Sequence, residues 1–157
     1  MIEKENELIH RFNQILWLYL FGAIVFIIMA ILLVIFKNKL LEKFNKTIIS
    51  QMVLYGIACF IFAVGIFFSI ITYSYSKDIK YVKQREFVAL TGTVEDYSRA
   101  VSIGDIATEA LYYGPIIREE VSGKTIRLNV PEAKLGKRYT FIYLPNSHLA
   151  VIVGEIS

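Results

Sequence analysis

Two stretches without a charged residue dominate the first half of this 157-residue chain. Residues 15–36 read ILWLYLFGAIVFIIMAILLVIF, and residues 53–73 read VLYGIACFIFAVGIFFSIITY. At a rise of about 1.5 Å per residue, a helix of either length crosses a hydrocarbon core of roughly 30 Å. We therefore predict two transmembrane helices, 15–36 and 53–75, that form a hairpin in a lipid bilayer.

The overall composition supports a membrane protein. Hydrophobic residues make up 55% of the chain and charged residues 20%, which argues against a wholly soluble enzyme and against a disordered chain. A single cysteine, Cys59, excludes an intrachain disulfide, and only two histidines, His10 and His148, are available for a zinc site. We expect no metal and no cofactor.

The segments that flank the apolar blocks predict the orientation. The tail, residues 1–14, is net acidic and no small-residue cleavage site follows it, so we interpret the first block as an uncleaved anchor. The loop, residues 37–52, has four lysines and an amphipathic, basic helical pattern that favours an anionic cytoplasmic leaflet. This bias predicts a two-pass protein of the bacterial cytoplasmic membrane with both termini outside.

The opposite orientation stays open, because a second basic cluster follows the second block. Lys77, Lys80, Lys83 and Arg85 lie in a charged linker, residues 76–86, and basic residues prefer the cytoplasm.

Small residues in the second block suggest close helix packing. Gly56, Cys59 and Ala63 are three and four residues apart and would lie on one helical face. They could contact a partner helix, including that of a second copy, or simply the other span of the same hairpin.

Residues 87–157 have a different pattern, with short β-rich runs separated by turns. The run YYGPIIREEV, residues 112–121, leads into Ser122-Gly123, and KTIRLNV, residues 124–130, follows, which predicts a β-hairpin. Further strands are expected at 87–97, 138–144 and 148–156, and Gly92 is expected to mark a bulge or bend. Together these features predict a five- to six-stranded, OB- or SH3-like β-barrel.

The motifs of this region are a T-G-x-V strand, a G-K hairpin and a Y-x-P ending. The positions that carry the pattern are Thr91, Gly92, Val94, Pro115, Gly123, Lys124, Gly136, Tyr143, Pro145, Ala150 and Ile152. The pattern resembles a family of small β-barrel domains of unknown function in bacterial membrane proteins, similar to the OB-like barrels of NfeD-type proteins, and Leu144 and Ser147 replace the Asp and Pro often found in it. The resemblance implies a binding or assembly module without catalytic residues.

Catalytic and nucleic-acid-binding patterns are not evident in the sequence. Ser147 and His148 are adjacent near a strand start, so they point apart and do not form a nucleophile–base pair. Residues 77–157 contain 11 Lys and Arg against 10 Asp and Glu, too balanced for a nucleic-acid groove. We therefore expect neither an enzyme nor a nucleic-acid-binding protein.

The remaining hypothesis is a membrane-tethered domain that binds a protein partner. It could be an immunity or protection protein against a secreted toxin or bacteriocin. The alternative is an accessory subunit of a larger secretion, conjugation or transport complex, held through Gly56, Cys59 and Ala63. The guessed partner-binding residues are Tyr112, Tyr113, Glu119, Glu120 and Lys124.

Overall fold

The computed structural model describes residues 1–43, 48–96 and 114–156. By their internal contacts these residues form two compact units. The helical unit comprises residues 15–73, and the sheet unit comprises residues 1–14 together with 74–157.

Two of the helices are long and apolar enough to cross a membrane by length and composition. The first contains the whole of the first apolar block except its last residue, and its first residues belong to the sheet unit. The basic loop begins with a short helix, as its amphipathic pattern predicts. The helices are α1 (Ile2–Ile35), α2 (Lys37–Lys43), α3 (Ile48–Ser76) and α4 (Ile79–Gln84).

Glycines let α1 and α3 approach each other within the helical unit. A Cβ added at Gly65 would lie 2.9 Å from Ile27 Cγ1 and 3.3 Å from the Ile27 backbone nitrogen. A Cβ at Gly22 would lie 3.3 Å from the Phe68 ring, which stacks on Phe26 with ring centroids 5.5 Å apart. The two apolar helices are therefore packed together through small residues and one aromatic stack.

The sheet unit contains a five-stranded antiparallel sheet of order β3-β2-β1-β4-β5. The predicted hairpin is confirmed, since Ile117 pairs with Ile126 and the turn lies between them. The strands are β1 (Val88–Asp96), β2 (Ile116–Glu119), β3 (Thr125–Arg127), β4 (Arg138–Tyr143) and β5 (Ala150–Ile156).

The prediction of a β-barrel is wrong, because among the strands in the described residues β3 and β5 remain the two edges of the sheet. A single parallel bridge, between Asn129 and Leu149, links the chain after β3 to the chain before β5. Closure would need a longer ladder, but β3 is only three residues long. The chain then turns at Leu128, whose carbonyl accepts the Val130 N–H, and Pro131 follows without an N–H of its own.

The core lies on one face of the sheet, and Gly92 lies on the same face of β1 as the core residues Leu90 and Val94. Gly92 is buried in the regular part of β1, and a Cβ there would overlap the carbonyl of Arg118 on β2. The irregularity in the β1–β2 pairing lies instead between Val94 and Asp96. Gly92 therefore permits close approach of two strands and is not the predicted bulge. The core residues are Leu90, Val94, Ile117, Leu128, Val130, Ala133, Tyr139, Phe141 and Ala150.

Candidate functional site

A buried carboxylate joins the segment before α4 to the turn before β5. Asp78 is 0% exposed, and its Oδ1 accepts the backbone N–H of Asn146 at 3.1 Å and the Nδ2–H of the same residue at 2.7 Å. Its Oδ2 accepts the backbone N–H of Ser147 at 2.7 Å. Asp78 precedes α4 but makes no side-chain cap bond to that helix, so its carboxylate serves the turn. We call these contacts the Asp78 latch.

The first turns of α1 pack within the sheet unit. Leu8 and Phe12 are fully buried, and the Phe12 ring lies 6.1 Å from the ring of Tyr75. The sequence predicts a tail here, and the signal for burial is the four-residue spacing of Leu8 and Phe12 within an otherwise charged segment. This segment, residues 1–14, is therefore a structural part of the sheet unit.

Ion pairs hold the same segment in place. Arg11 donates to Glu132 at 2.6 Å and lies 2.9 Å from Glu7, and Arg85 donates to Asn6 at 3.1 Å. The hydrogen bond from Arg11 lowers the pKa of Glu132, and the hydrogen bond to Glu132 raises the pKa of Arg11. These contacts join residues far apart in sequence, from the start of α1 to the turn before β4.

The guessed partner-binding surface falls only partly on described residues. Tyr112 and Tyr113 lie outside them. Glu119 ends β2 and binds the hydroxyl of Ser122, while its backbone N–H donates to the carbonyl of Lys124 at 2.9 Å. Glu120 forms an ion pair with Arg138 on β4.

The turn of this hairpin exposes a large apolar side chain that sequence analysis did not single out. Val121 is 93% exposed, whereas the residues around it are fixed by hydrogen bonds. Gly123 adopts φ 66° and donates its N–H to the carbonyl of Glu119 at 2.9 Å, and the Lys124 N–H donates to Ser122 Oγ at 3.2 Å. The hairpin tip, residues 119–124, is thus an ordered turn with an exposed valine.

Cations of the sheet are paired with acids. Arg118 lies 2.8 Å from Glu95, Lys137 lies 2.7 Å from Glu155, and Arg138 pairs with Glu120 as noted above. Because each of these three positive charges has a carboxylate beside it, the three do not form a row of uncompensated cations for a phosphate backbone.

His148 occupies a structural position next to the latched turn. Its backbone has φ 52°, and its Nδ1–H donates to the carbonyl of Arg127 at 3.0 Å. Burial lowers the pKa of His148, although the hydrogen bond to Arg127 partly opposes this effect. The neighbouring Ser147 hydroxyl accepts the Leu149 N–H at 3.5 Å. Over the described residues, no three His, Cys, Asp or Glu side chains are grouped to hold a metal ion.

The predicted helix-packing residues lie on the outside of the helical unit. Gly56, Cys59 and Ala63 are exposed, and a Cβ added at Gly56 would meet no atom within 4 Å. The contact between the two long helices uses Gly65 and Gly22 instead. Whether the exposed small residues contact a partner helix stays a prediction.

No family model, no curated protein and no solved structure matches this chain.

Proposed function

We propose that this chain is a non-enzymatic integral membrane protein of a bacterial cytoplasmic membrane, in which two spans tether a sheet unit that binds a protein partner. The sheet is an open, OB-like module in this proposal, since the bridge from Asn129 to Leu149 brings its edges together at one point. Tethering raises the effective concentration of the module beside other membrane components, so a weak contact suffices.

The two chain segments that form the sheet unit support a hairpin topology in which the first span is not cleaved off. Residues 1–14 and 74–157 belong to one unit, which supports a topology with both ends of the predicted hairpin on the same side of the bilayer. Cleavage after the first span would remove Leu8 and Phe12 from their buried positions and Arg11 from Glu132.

The hairpin tip is the observation that carries the binding proposal. An exposed valine on an ordered turn loses little conformational freedom on binding and contributes apolar area to an interface. Glu119, Glu120 and Lys124 surround it with polar groups suited to the rim of such a contact. An immunity or protection role against a secreted toxin requires this tip to face outward, as the charge of the loop favours.

Orientation is tested by labelling in intact cells. Leu135 is exposed on a turn of the sheet unit, so Leu135→Cys in a Cys59→Ala background places one thiol there. A membrane-impermeant maleimide should label it in intact cells, whereas labelling only after lysis would place the sheet unit in the cytoplasm and overturn the toxin-binding role.

Protection is tested by deletion and complementation. Loss of the gene should sensitise cells to a toxin encoded nearby, and the full chain should restore resistance. Val121→Asp should fail to restore it, because a charge at the tip opposes an apolar contact. Leu135→Asp is the matched control, an equally polar change at another exposed position, and should restore resistance fully. Equal protection by both variants, or no sensitisation on deletion, would contradict the proposal.

A second candidate, an accessory subunit of a membrane complex, is favoured by the exposed small residues of α3. Gly56 and Ala63 are exposed, and a Cβ at Gly56 would meet no atom within 4 Å, so both positions are accessible to a neighbouring helix. Gly56→Leu with Ala63→Leu should then abolish co-purification of the other subunits or of a second copy. Cys59→Ala keeps the position small and should preserve co-purification.

A further inference from the structure

An apolar cleft opens between α1 and α3 near the loop that joins them. Its volume is about 320 Å³, and almost all of the atoms that line it are apolar. The lining residues are Ala30, Ile31, Val34, Ile35, Tyr55, Ala58, Cys59 and Phe62.

Small side chains create this cleft. Ala30 and Ala58 are both buried at the helix contact, while longer side chains such as Ile31 and Phe62 stand exposed beside them. From Tyr55 to Phe62 the cleft extends about 10 Å along α3, calculated from the helical rise. In a bilayer an apolar groove of this kind is filled by hydrocarbon, because an empty groove would lose its dispersion contacts.

A cation and a hydroxyl stand at the loop-side end of the cleft. Lys37 Nζ donates to the Tyr55 hydroxyl at 2.9 Å and lies 5.5 Å from the centroid of its ring. Tyr55 therefore lines the cleft with its ring and holds the lysine with its oxygen. The Tyr55 hydroxyl oxygen accepts this hydrogen bond from Lys37, so its O–H can donate to a further acceptor. Lys39 follows nearby, with Nζ 5.9 Å from the Phe36 ring.

The charge around this end favours an anion. Lys37 and Lys39 both carry a positive charge here. Lysine binds phosphate as a point charge, and basic sites at the cytoplasmic ends of membrane helices bind anionic lipid head groups. An apolar groove that ends at a lysine and a tyrosine hydroxyl matches a phospholipid, which has an acyl chain joined to a phosphate.

We propose that this cleft binds one anionic phospholipid, with an acyl chain against Ala58 and Cys59 and the phosphate at Lys37 and Tyr55. The inference rests on the membrane insertion proposed above and adds a specific lipid site to it. Anionic lipids bind in preference to zwitterionic ones, because the ammonium group of a zwitterionic head group opposes Lys37 and Lys39.

The test uses the full chain in phosphatidylcholine vesicles that contain a trace of a photoreactive lipid. The probe has a diazirine midway along one acyl chain and either a phosphatidylglycerol or a phosphatidylcholine head group. The phosphatidylglycerol probe should label the peptide that contains residues 55–62 several-fold more than the phosphatidylcholine probe does. Lys37→Gln should reduce that preference about fivefold, which corresponds to about 1 kcal/mol for one lysine at a membrane surface.

Two variants complete the experiment. Lys80→Gln removes another exposed lysine that lies beside an aromatic ring, 4.6 Å from the Tyr81 centroid, and should leave the preference unchanged. Cys59→Phe fills the cleft and should reduce labelling by both probes.

Three results would overturn the proposal. The first is equal labelling of residues 55–62 by the two probes in an inserted chain, and the second is labelling spread evenly along α1 and α3. The third is cross-linking between copies through Cys59 in place of lipid labelling, since a second copy would then occupy the cleft. A chain that alkaline carbonate removes from the vesicles would overturn membrane insertion as well, so carbonate extraction separates the two failures.

Discussion

The Asp78 latch predicts that one carboxylate stabilises the whole sheet unit. Asp78→Ala removes three hydrogen bonds, two from Asn146 and one from Ser147, and leaves their donors without the partner they have in the folded chain. A hydrogen bond to a charged group contributes about 1.5–3 kcal/mol. Two of the three bonds share Oδ1 and the released turn can bind water, so we expect a loss of about 3 kcal/mol in the free energy of unfolding.

Asp78→Asn separates the effect of charge and geometry from that of size. The amide keeps one oxygen but places an NH₂ group against either the Ser147 N–H or the two donors of Asn146, depending on its rotamer. We expect this variant to lose about 2 kcal/mol, because at least one buried donor is left unpaired. Glu86→Gln is the matched control, since Glu86 is exposed in the segment after α4.

Hydrogen exchange of the full chain in detergent micelles provides the assay. Amides of β4 and β5 that exchange through opening of the sheet unit should exchange roughly 150-fold faster in Asp78→Ala, the equivalent of about 3 kcal/mol. Exchange within α4 should change little, because the Asp78 side chain does not cap that helix. A change below fivefold in β4 and β5, or a change confined to α4, would refute the argument.

Three other contacts give testable outcomes. Burial lowers the pKa of His148, so the folded unit favours the neutral ring. The unit should have full stability above pH 6.5 and lose stability as the pH falls from 6.5 through the folded pKa. In urea unfolding, His148→Asn should flatten this pH dependence, because asparagine does not titrate and tolerates φ 52°. Gly65→Leu should lower the thermal stability of the helical unit in micelles, measured by circular dichroism, because its Cβ would meet Ile27. Gly56→Leu is the control and should leave the thermal stability unchanged, since a Cβ there meets no atom within 4 Å. Equal effects of the two variants would show that the helix contact is misassigned. The hydrogen bond from Arg11 lowers the pKa of Glu132, so a double-mutant cycle of Arg11→Ala and Glu132→Gln should show a coupling below about 1 kcal/mol at pH 7. This coupling should fall as the pH drops from 4.5 through the lowered pKa of folded Glu132, because the carboxylate is then protonated. A coupling that does not change with pH over this range would contradict the ion pair.

The elements of this fold that could be predicted depend on short-range patterns. An apolar stretch without charge predicts a long helix wherever it occurs, and Ser122-Gly123 between alternating residues predicts the β2–β3 hairpin. Both signals are contained within a few residues of the element that they specify. How the strands pair is harder to predict, because the sequence does not show that β3 ends after three residues. A longer strand at this position would close a barrel.

The contacts that assemble the sheet unit could not be predicted from one sequence. Asp78 resembles any solvated acid in a charged linker, and its partners at 146 and 147 are almost seventy positions away. Glu132 also has no distinguishing sequence pattern around it, although it forms an ion pair with Arg11, 121 positions away. Gly92 carried a real signal, but a glycine in a strand is compatible with a bulge and with close approach of a neighbour, and only the position of Arg118 decides between them.

The placement of the first helical turns in the sheet unit has a consequence for biogenesis. Residues 1–14 are synthesised before the two long apolar helices are complete, and Glu132 and the strands beside it are synthesised after them, so the sheet unit can be completed only after both helices have been made. If the second span fails to insert in a bilayer, the two parts of this unit are held on opposite sides and cannot meet. Leu8 and Phe12 then stay uncovered, and an exposed apolar pair of this kind is what chaperones and membrane proteases recognise. In the membrane topology proposed above, completion of the sheet unit therefore requires that both spans have crossed.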